Sequence, residues 1–171
     1  FKSNFTILDT DDQKKLIKKI CEAENIDAKK ISPQFIISFI DNWKNKGLTH
    51  KEVKIKKNNS LESQILKVYS IYQQKAQDLN AMDFGDLILF TVKLFENNND
   101  IAEIYRKNFK YILVDEYQDT NFIQNKWLNL LVNEKRNICC VGDDDQSIYS
   151  WRGAEIKNFL TFDKIYPNCK V

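Results

Sequence analysis

The sequence predicts an α/β fold: a partial parallel sheet with flanking helices, preceded by a mainly helical lobe. Three observations predict it. Two short apolar runs, one of Tyr111, Ile112, Leu113 and Val114 and one of Ile138, Cys139, Cys140 and Val141, end in acid and in Gly-Asp respectively. An amphipathic stretch separates them, with Ile123, Trp127, Leu130 and Leu131 facing one way. Residues 1–80 carry three apolar stripes at 3,4 spacing. Short apolar runs bounded by polar residues fit buried parallel strands. A strand, a helix and a strand within about 30 residues form a βαβ unit, whose crossover is expected to be right-handed.

Each element follows in order. Asp9, Thr10, Asp11 and Asp12 precede Leu16, Ile17 and Ile20, so a capped helix is expected over about 11–24. Ser32-Pro33 introduces Phe35, Ile36, Phe39, Ile40 and Trp43, with Gly47 past the end, which predicts a second helix. Leu61, Ile65, Val68, Tyr69 and Tyr72 share one face of a third, over about 60–79. Between the second and third, residues 51–57 hold four lysines, a stretch that either meets nucleic-acid phosphates or is a solvated loop. A boundary is expected near 80–82, dividing the chain into lobes over 1–80 and 81–171. Asp83 to Leu87 opens another amphipathic helix running to about 97, and a short helix follows near 100–107.

Composition narrows the class. The 171 residues hold 43% hydrophobic and 29% charged residues, which is globular, and no apolar run nears the roughly 20 residues that cross a bilayer. The chain opens on Phe1, and Met82 is its single methionine, so it is expected to be an excised piece. Four cysteines lack C-x-x-C spacing and His50 is the one histidine, which leaves no ligand set for a structural zinc. Reduced thiols are expected, with Cys139 and Cys140 packed in a buried strand. Residues 1–80 hold 15 Lys+Arg against 10 Asp+Glu, net +5, whereas residues 81–171 hold 11 against 14, net −3. That asymmetry suits either a polyanion on one half and a bound cation on the other, or two solvated surfaces.

Parallel sheets gather ligands outside the carboxyl ends of their strands. The residues there are Asp115 and Glu116 after the first run, and Asp143, Asp144, Asp145 and Gln146 after the second. One strand-end carboxylate can hold Mg²⁺ on a nucleotide while its neighbour activates water. An amide offers both a donor and an acceptor for a terminal phosphate.

The strings ILVDEYQDTN (112–121) and VGDDDQSIYSWRGA (141–154) resemble motifs II and III of the UvrD/Rep/PcrA group of superfamily 1 helicases. FTILDTDDQ (5–13) and DFGDLI (83–88) are similar to sequence preceding motif II in that group. The resemblance implies a partial RecA-like lobe of the P-loop NTPase type over 81–171, and a domain 1B-like helical lobe over 1–80. It implies ATP and Mg²⁺ as cofactors, with Asp115 as the metal carboxylate, Glu116 as the catalytic base, Gln118 with the nucleotide-binding residues, and Gln146 coupling the γ-phosphate to DNA. Tyr149, Trp151 and Arg152 would grip the strand, since stacking tolerates any base. The implied partners are single-stranded DNA and its junction with duplex, and repair or replication proteins, in a bacterial-type cytoplasm at the nucleoid and away from membranes.

The implied activity is 3′–5′ translocation and unwinding driven by ATP. The four glycines (Gly47, Gly85, Gly142, Gly153) are never followed by Lys, so the phosphate-cradling G-x-x-x-x-G-K-[ST] is absent and this stretch alone is expected to be inactive. Two roles stay open: Asp119 and Thr120 either belong to the site or cap the helix from Asn121, and Asp143 and Asp144 are either structural acids or metal ligands. Rival readings are a metal-dependent nuclease built on Asp115, Glu116, Asp119 and Asp143, a helicase-nuclease of the AddA/RecB kind, and a non-catalytic interaction module.

Overall fold

The computed structural model describes residues 1–26, 31–56 and 59–171, with Arg152 described by its backbone alone. The chain divides into two compact units, Phe1–Leu89 and Phe90–Val171.

In the first unit, β1 (Thr6–Leu8) leads into α1 (Thr10–Ala23), α2 (Pro33–Asn45) and α3 (Ser60–Asp78), and the chain returns in β2 (Ala81–Asp83) before α4 (Phe84–Asn97), within which the division falls. β1 and β2 pair in parallel, with Ile7 opposite Met82. Local chemistry fixes the helix starts. Asp9 caps α1 by accepting from the N–H groups of Asp11 and Asp12, and Ser32 caps α2 just before the proline. Gly47, at φ 74°, ends α2 in the left-handed region, where a side chain would be strained.

The three helices bury Ile17, Ile20, Ile36, Ile37, Ile40, Trp43, Ile65, Val68, Tyr69 and Tyr72 as one core. These are the predicted stripes with two corrections. Phe35 and Leu61 lie in the first turns of α2 and α3 and are exposed, and Ile37 is buried instead. In the basic stretch, Lys51, Lys54 and Lys56 are exposed while Val53 and Ile55 pack on the core; Lys57 lies outside the described residues.

A buried ion cluster completes this unit. Lys44, on α2, is 1% exposed, and its Nζ lies 2.5 Å from Asp83 Oδ2 and 2.8 Å from Asp86 Oδ1. The Tyr72 hydroxyl donates to Asp83 Oδ2 at 2.8 Å; burial, and then the charge of Asp83, hold that phenol proton in place. Asp41 on α2 feels the same cluster. Burial first, then the negative charge of Asp83, push its carboxyl up to about 6, against the opposing pull of Lys44.

Because that value lies above the ordinary ~4 of an unfolded Asp, the stability Asp41 contributes is present below about pH 4 and is lost as pH rises through about 6. Asp41→Asn is therefore expected to raise the thermal midpoint at pH 8 and to change it little at pH 4. An unaltered midpoint at pH 8 would count against the burial argument.

The second unit holds α5 (Asn99–Asn108), β3 (Ile112–Val114), α6 (Phe122–Leu131), β4 (Ile138–Cys140), α7 (Ile156–Leu160) and α8 (Phe162–Ile165). β3 and β4 pair in parallel, Leu113 opposite Cys139, with α6 between them in sequence, as the predicted βαβ unit requires. α5 and α6 pack through Ala102 and Leu131, in one cluster with Phe95 from the end of α4 and with Ile112 and Trp127 against it.

The strands are not buried as expected: Leu113 is 81% exposed, Cys139 is exposed and Cys140 half-buried. In a two-stranded sheet the alternating side chains leave Leu113 and Cys139 on one face, and in this unit that face lines an open groove with Tyr111 and Leu160. No helix among the described residues is long and apolar enough to cross a membrane.

Candidate functional site

The parallel register of β3 and β4 brings their carboxyl ends level, so the two loops leave the sheet side by side. The pairing runs on past both strands, with Val141 N–H donating to Val114 O at 2.8 Å and Tyr117 N–H to Val141 O at 3.0 Å. Asp115 and Glu116 sit in that span and are exposed. Glu116 has φ 51° and ψ 40°, the left-handed region that non-glycine residues seldom occupy, and its N–H donates to Asp115 Oδ1 at 2.9 Å. Such an outlier persists only where its surroundings hold it. Here Tyr117, fully buried and edge-on to Phe162, anchors the 3₁₀ turn Tyr117–Asp119, and its hydroxyl donates to Asn125 Oδ1 at 2.7 Å.

Gln118, like Tyr117, faces inward. It is 0% exposed, Nε2 donating to Glu116 Oε2 at 2.6 Å and Oε1 accepting from Asp143 N–H at 3.1 Å. Grouped by resemblance with the nucleotide-binding residues, its amide lies inside the protein between the two loops. Asp143 turns the second loop: Oδ1 accepts from Asp145 N–H at 3.0 Å and Oδ2 from Gln146 Nε2 at 2.6 Å, which starts the 3₁₀ turn Asp144–Gln146. Hydrogen bonds therefore run from Glu116 through Gln118 and Asp143 to Gln146.

The remainder of the second loop folds back on the first. Asn121 and Ala154 form an antiparallel bridge, and Glu155 N–H donates to Thr120 O at 2.9 Å. Asn158 ties α7 to α6 by accepting from Asn125 Nδ2 at 3.2 Å. Tyr149 and Trp151 stand at the outside of this loop, ring centroids 6.3 Å apart and tilted by 49°, with Trp151 76% exposed. An indole that open within a tied-down loop is presented rather than packed. The side chain of Arg152 lies outside the described residues.

The open roles divide. Asn121 itself caps α6, in a capping box with Gln124, so neither Asp119 nor Thr120 does; the Thr120 hydroxyl donates to Tyr117 O at 2.7 Å. Asp143 acts as a cap within its own loop. Among the described residues no three His, Cys, Asp or Glu side chains gather as metal ligands, so the four acids of the nuclease reading do not form a cage. What the residues do fit is Mg²⁺ carried on a phosphate, which needs only one or two carboxylates beside water and phosphate oxygens. Asp115, exposed at its strand end, supplies one. The sequence did not reveal Lys44 and its two aspartates, although Lys44 follows Ile36, Ile40 and Trp43 on an otherwise apolar face.

Fold and loops together define a mixed α/β protein in which two acid-bearing loops leave the carboxyl edge of a small parallel sheet side by side. Comparison with known proteins narrows this. Residues 1–167 match the family model of the UvrD/REP helicase N-terminal domain, and the chain belongs to that family. It is 44% identical over 170 residues to a probable DNA helicase II homolog of Rickettsia conorii, covering 99% of this chain and 26% of that protein. It is 45% identical over 167 residues to the ATP-dependent DNA helicase PcrA of Staphylococcus epidermidis, covering 98% and 23%. With PcrA of Staphylococcus aureus it shares 46% over 164 residues, covering 96% and 22%. The chain thus spans about a quarter of the length of the curated relatives it matches.

Proposed function

We propose that the complete protein is an ATP-dependent DNA helicase that moves 3′ to 5′ along a single strand and separates duplex at its junction, and that this chain carries one edge of its ATP site and part of its grip on DNA. In this reading 81–171 is part of a RecA-like lobe, 1–80 is a domain 1B-like insertion, and the phosphate-cradling loop belongs to another part of the protein. Asp115 holds Mg²⁺, which when bound neutralises phosphate charge. Glu116 orients the attacking water and takes its proton. Gln146 meets the γ-phosphate, Tyr149 and Trp151 stack on bases at about 1–3 kcal/mol each, and Arg152 meets the backbone. Repair or replication proteins are its partners, at the nucleoid in the cytoplasm.

One observation carries this reading. The acidic strand end and the amide-bearing strand end are adjacent and hydrogen-bonded to one another, and the exposed indole of Trp151 follows on the same loop. A change felt at Gln146 has a short covalent path to the rings, as coupling of hydrolysis to stepping requires.

The test uses the complete protein with ATP, Mg²⁺ and end-labelled duplexes bearing a 3′ or a 5′ single-stranded tail. Full-length displaced strand from the 3′-tailed duplex is the expected product. Shortened labelled strands would instead establish nuclease action, and turnover with neither product would leave the motor reading without support.

A further inference from the structure

The Glu116 carboxylate stands on a left-handed residue just past the end of β3, where backbone bonds on either side hold the chain but leave the side chain free to turn. Among the described side chains, the one that reaches it is Gln118, whose 2.6 Å bond from Nε2 to Glu116 Oε2 is made by a fully buried group with its other end occupied as well. Glutamine suits this position chemically. Its amide can donate to a carboxylate and accept from a backbone N–H at once, whereas a carboxylate in its place could only accept.

The second loop is shaped around the same amide. A Cβ added to Gly142 would stand 2.5 Å from Gln118 Oε1, 3.0 Å from Phe159 Cε2 and 3.3 Å from the Gln118 backbone nitrogen, so the Gln118 amide would have to shift. The neighbouring Asp143, which gives its N–H to Gln118, holds Gln146 through its carboxylate.

We propose that Gln118 is the positioning residue of the hydrolysis step: it orients the Glu116 carboxylate and ties it to the Gly142 and Asp143 backbone, so that the water-activating group is aligned when the Gln146 loop is seated. This rests on the reading of Glu116 as the group that activates water. Gln118 is 0% exposed with both ends of its amide engaged by protein, so it acts through Glu116. Displacing a reacting group by about 1 Å costs on the order of 10²-fold in rate, so the contact controls turnover without contributing to ATP affinity.

Three variants of the complete protein test it, each assayed for ATP turnover at saturating single-stranded DNA. Gln118→Glu preserves volume and the acceptor for Asp143 N–H, but it removes the donor to Glu116 and sets a second carboxylate against it. Its kcat is expected to fall by about 10- to 100-fold, with KM for ATP and strand affinity within about threefold of the parent, a split that a merely structural role would not give. Gly142→Ala presses on the same amide from the other loop and is expected to lower kcat in the same pattern. Glu116→Gln serves as the reference.

If Glu116→Gln abolishes turnover while Gln118→Glu and Gly142→Ala keep kcat within about twofold, Glu116 stands as the base and the positioning role is overturned. A parallel rise in KM or loss of strand affinity overturns it too, since the residue is then part of the scaffold. If Glu116→Gln retains turnover, the reading of Glu116 fails and the inference with it. Should Gln118→Glu lose the parent's thermal transition, Gly142→Ala decides by the same split; if neither folds, Gln118 is structural and the inference is overturned.

Discussion

Glu116→Gln in the complete protein is expected to reduce DNA-stimulated ATP turnover by about 10²–10⁴-fold, the range a positioned general base contributes, while leaving KM for ATP within a few-fold. The substitution is close to isosteric, and the geometry predicts why the loss should be chemical. Glu116 meets Gln118 by accepting a hydrogen bond at Oε2. A glutamine there still offers a carbonyl oxygen to the Gln118 amide, so the turn Tyr117–Asp119 and the left-handed backbone beneath it need not rearrange. What disappears is the capacity to take a proton from water at neutral pH. Turnover within about tenfold of the parent would remove Glu116 from that role and place the chemistry elsewhere in the loops.

How much of this was legible in the sequence depended on the range of the interactions involved. The helices were readable because caps and stripes are local: Asp9 and Ser32 each start a helix from within three residues, and Ile36, Ile40 and Trp43 need only one turn to find each other; the cap of α6 was not, since it is Asn121 and neither Asp119 nor Thr120. The pairing of β3 with β4 was readable because one amphipathic helix separates them. β1 and β2 were not, since three residues carry no period and their partners lie some 75 positions apart in sequence, Thr6 against Ala81.

The motif strings singled out Asp115, Glu116 and Gln146 as candidates, and the sheet register accounts for their neighbourhood. The direction in which Gln118 points could not be read from the string, because in a 3₁₀ turn one residue decides between solvent and interior. The burial assigned to the strands failed for a related reason. An apolar run reports that a face can be covered, and Leu113 and Cys139 lie on a face that this unit leaves open.

Lys44 shows the same limit at the scale of charge. Composition counts it as one of 26 basic residues, and on a helix wheel it falls beside Ile37 and Ile40 as an apparent breach of the stripe. Its partners arrive from Asp83 at the end of β2 and Asp86 in the first turn of α4. The two aspartates also close on each other, Asp86 N–H donating to Asp83 Oδ1 at 2.9 Å and Asp83 N–H to Asp86 Oδ2 at 3.2 Å. The DFGDLI string thus anchors the start of α4 as well as ending the return strand.

Replacing that lysine should have the largest effect on stability. Lys44→Met keeps most of the aliphatic stem, including its packing near Gly85, where an added Cβ would lie 3.0 Å from Lys44 Cδ. It removes the cation that Asp83 and Asp86 share, and with it a charge lying 5.3 Å from the Tyr72 ring centre. Breaking a buried pair from one side typically costs about 3–5 kcal/mol, because the partner charge is left without compensation, and here two carboxylates are left. The deficit should depend on pH with a definite sign. Unpaired buried carboxyls bind protons more readily folded than unfolded, so the variant regains stability as pH falls and loses most near neutrality. Adding Asp83→Asn and Asp86→Asn should restore part of the loss at pH 7, since the groups left behind are then neutral and can still hydrogen-bond. Urea unfolding of variants in which Trp127 and Trp151 are replaced by Phe, followed by the fluorescence of Trp43, which belongs to the same core, measures all three effects. A Lys44→Met variant within about 1 kcal/mol of the parent at pH 7 would mean that the cluster adds nothing beyond its packing.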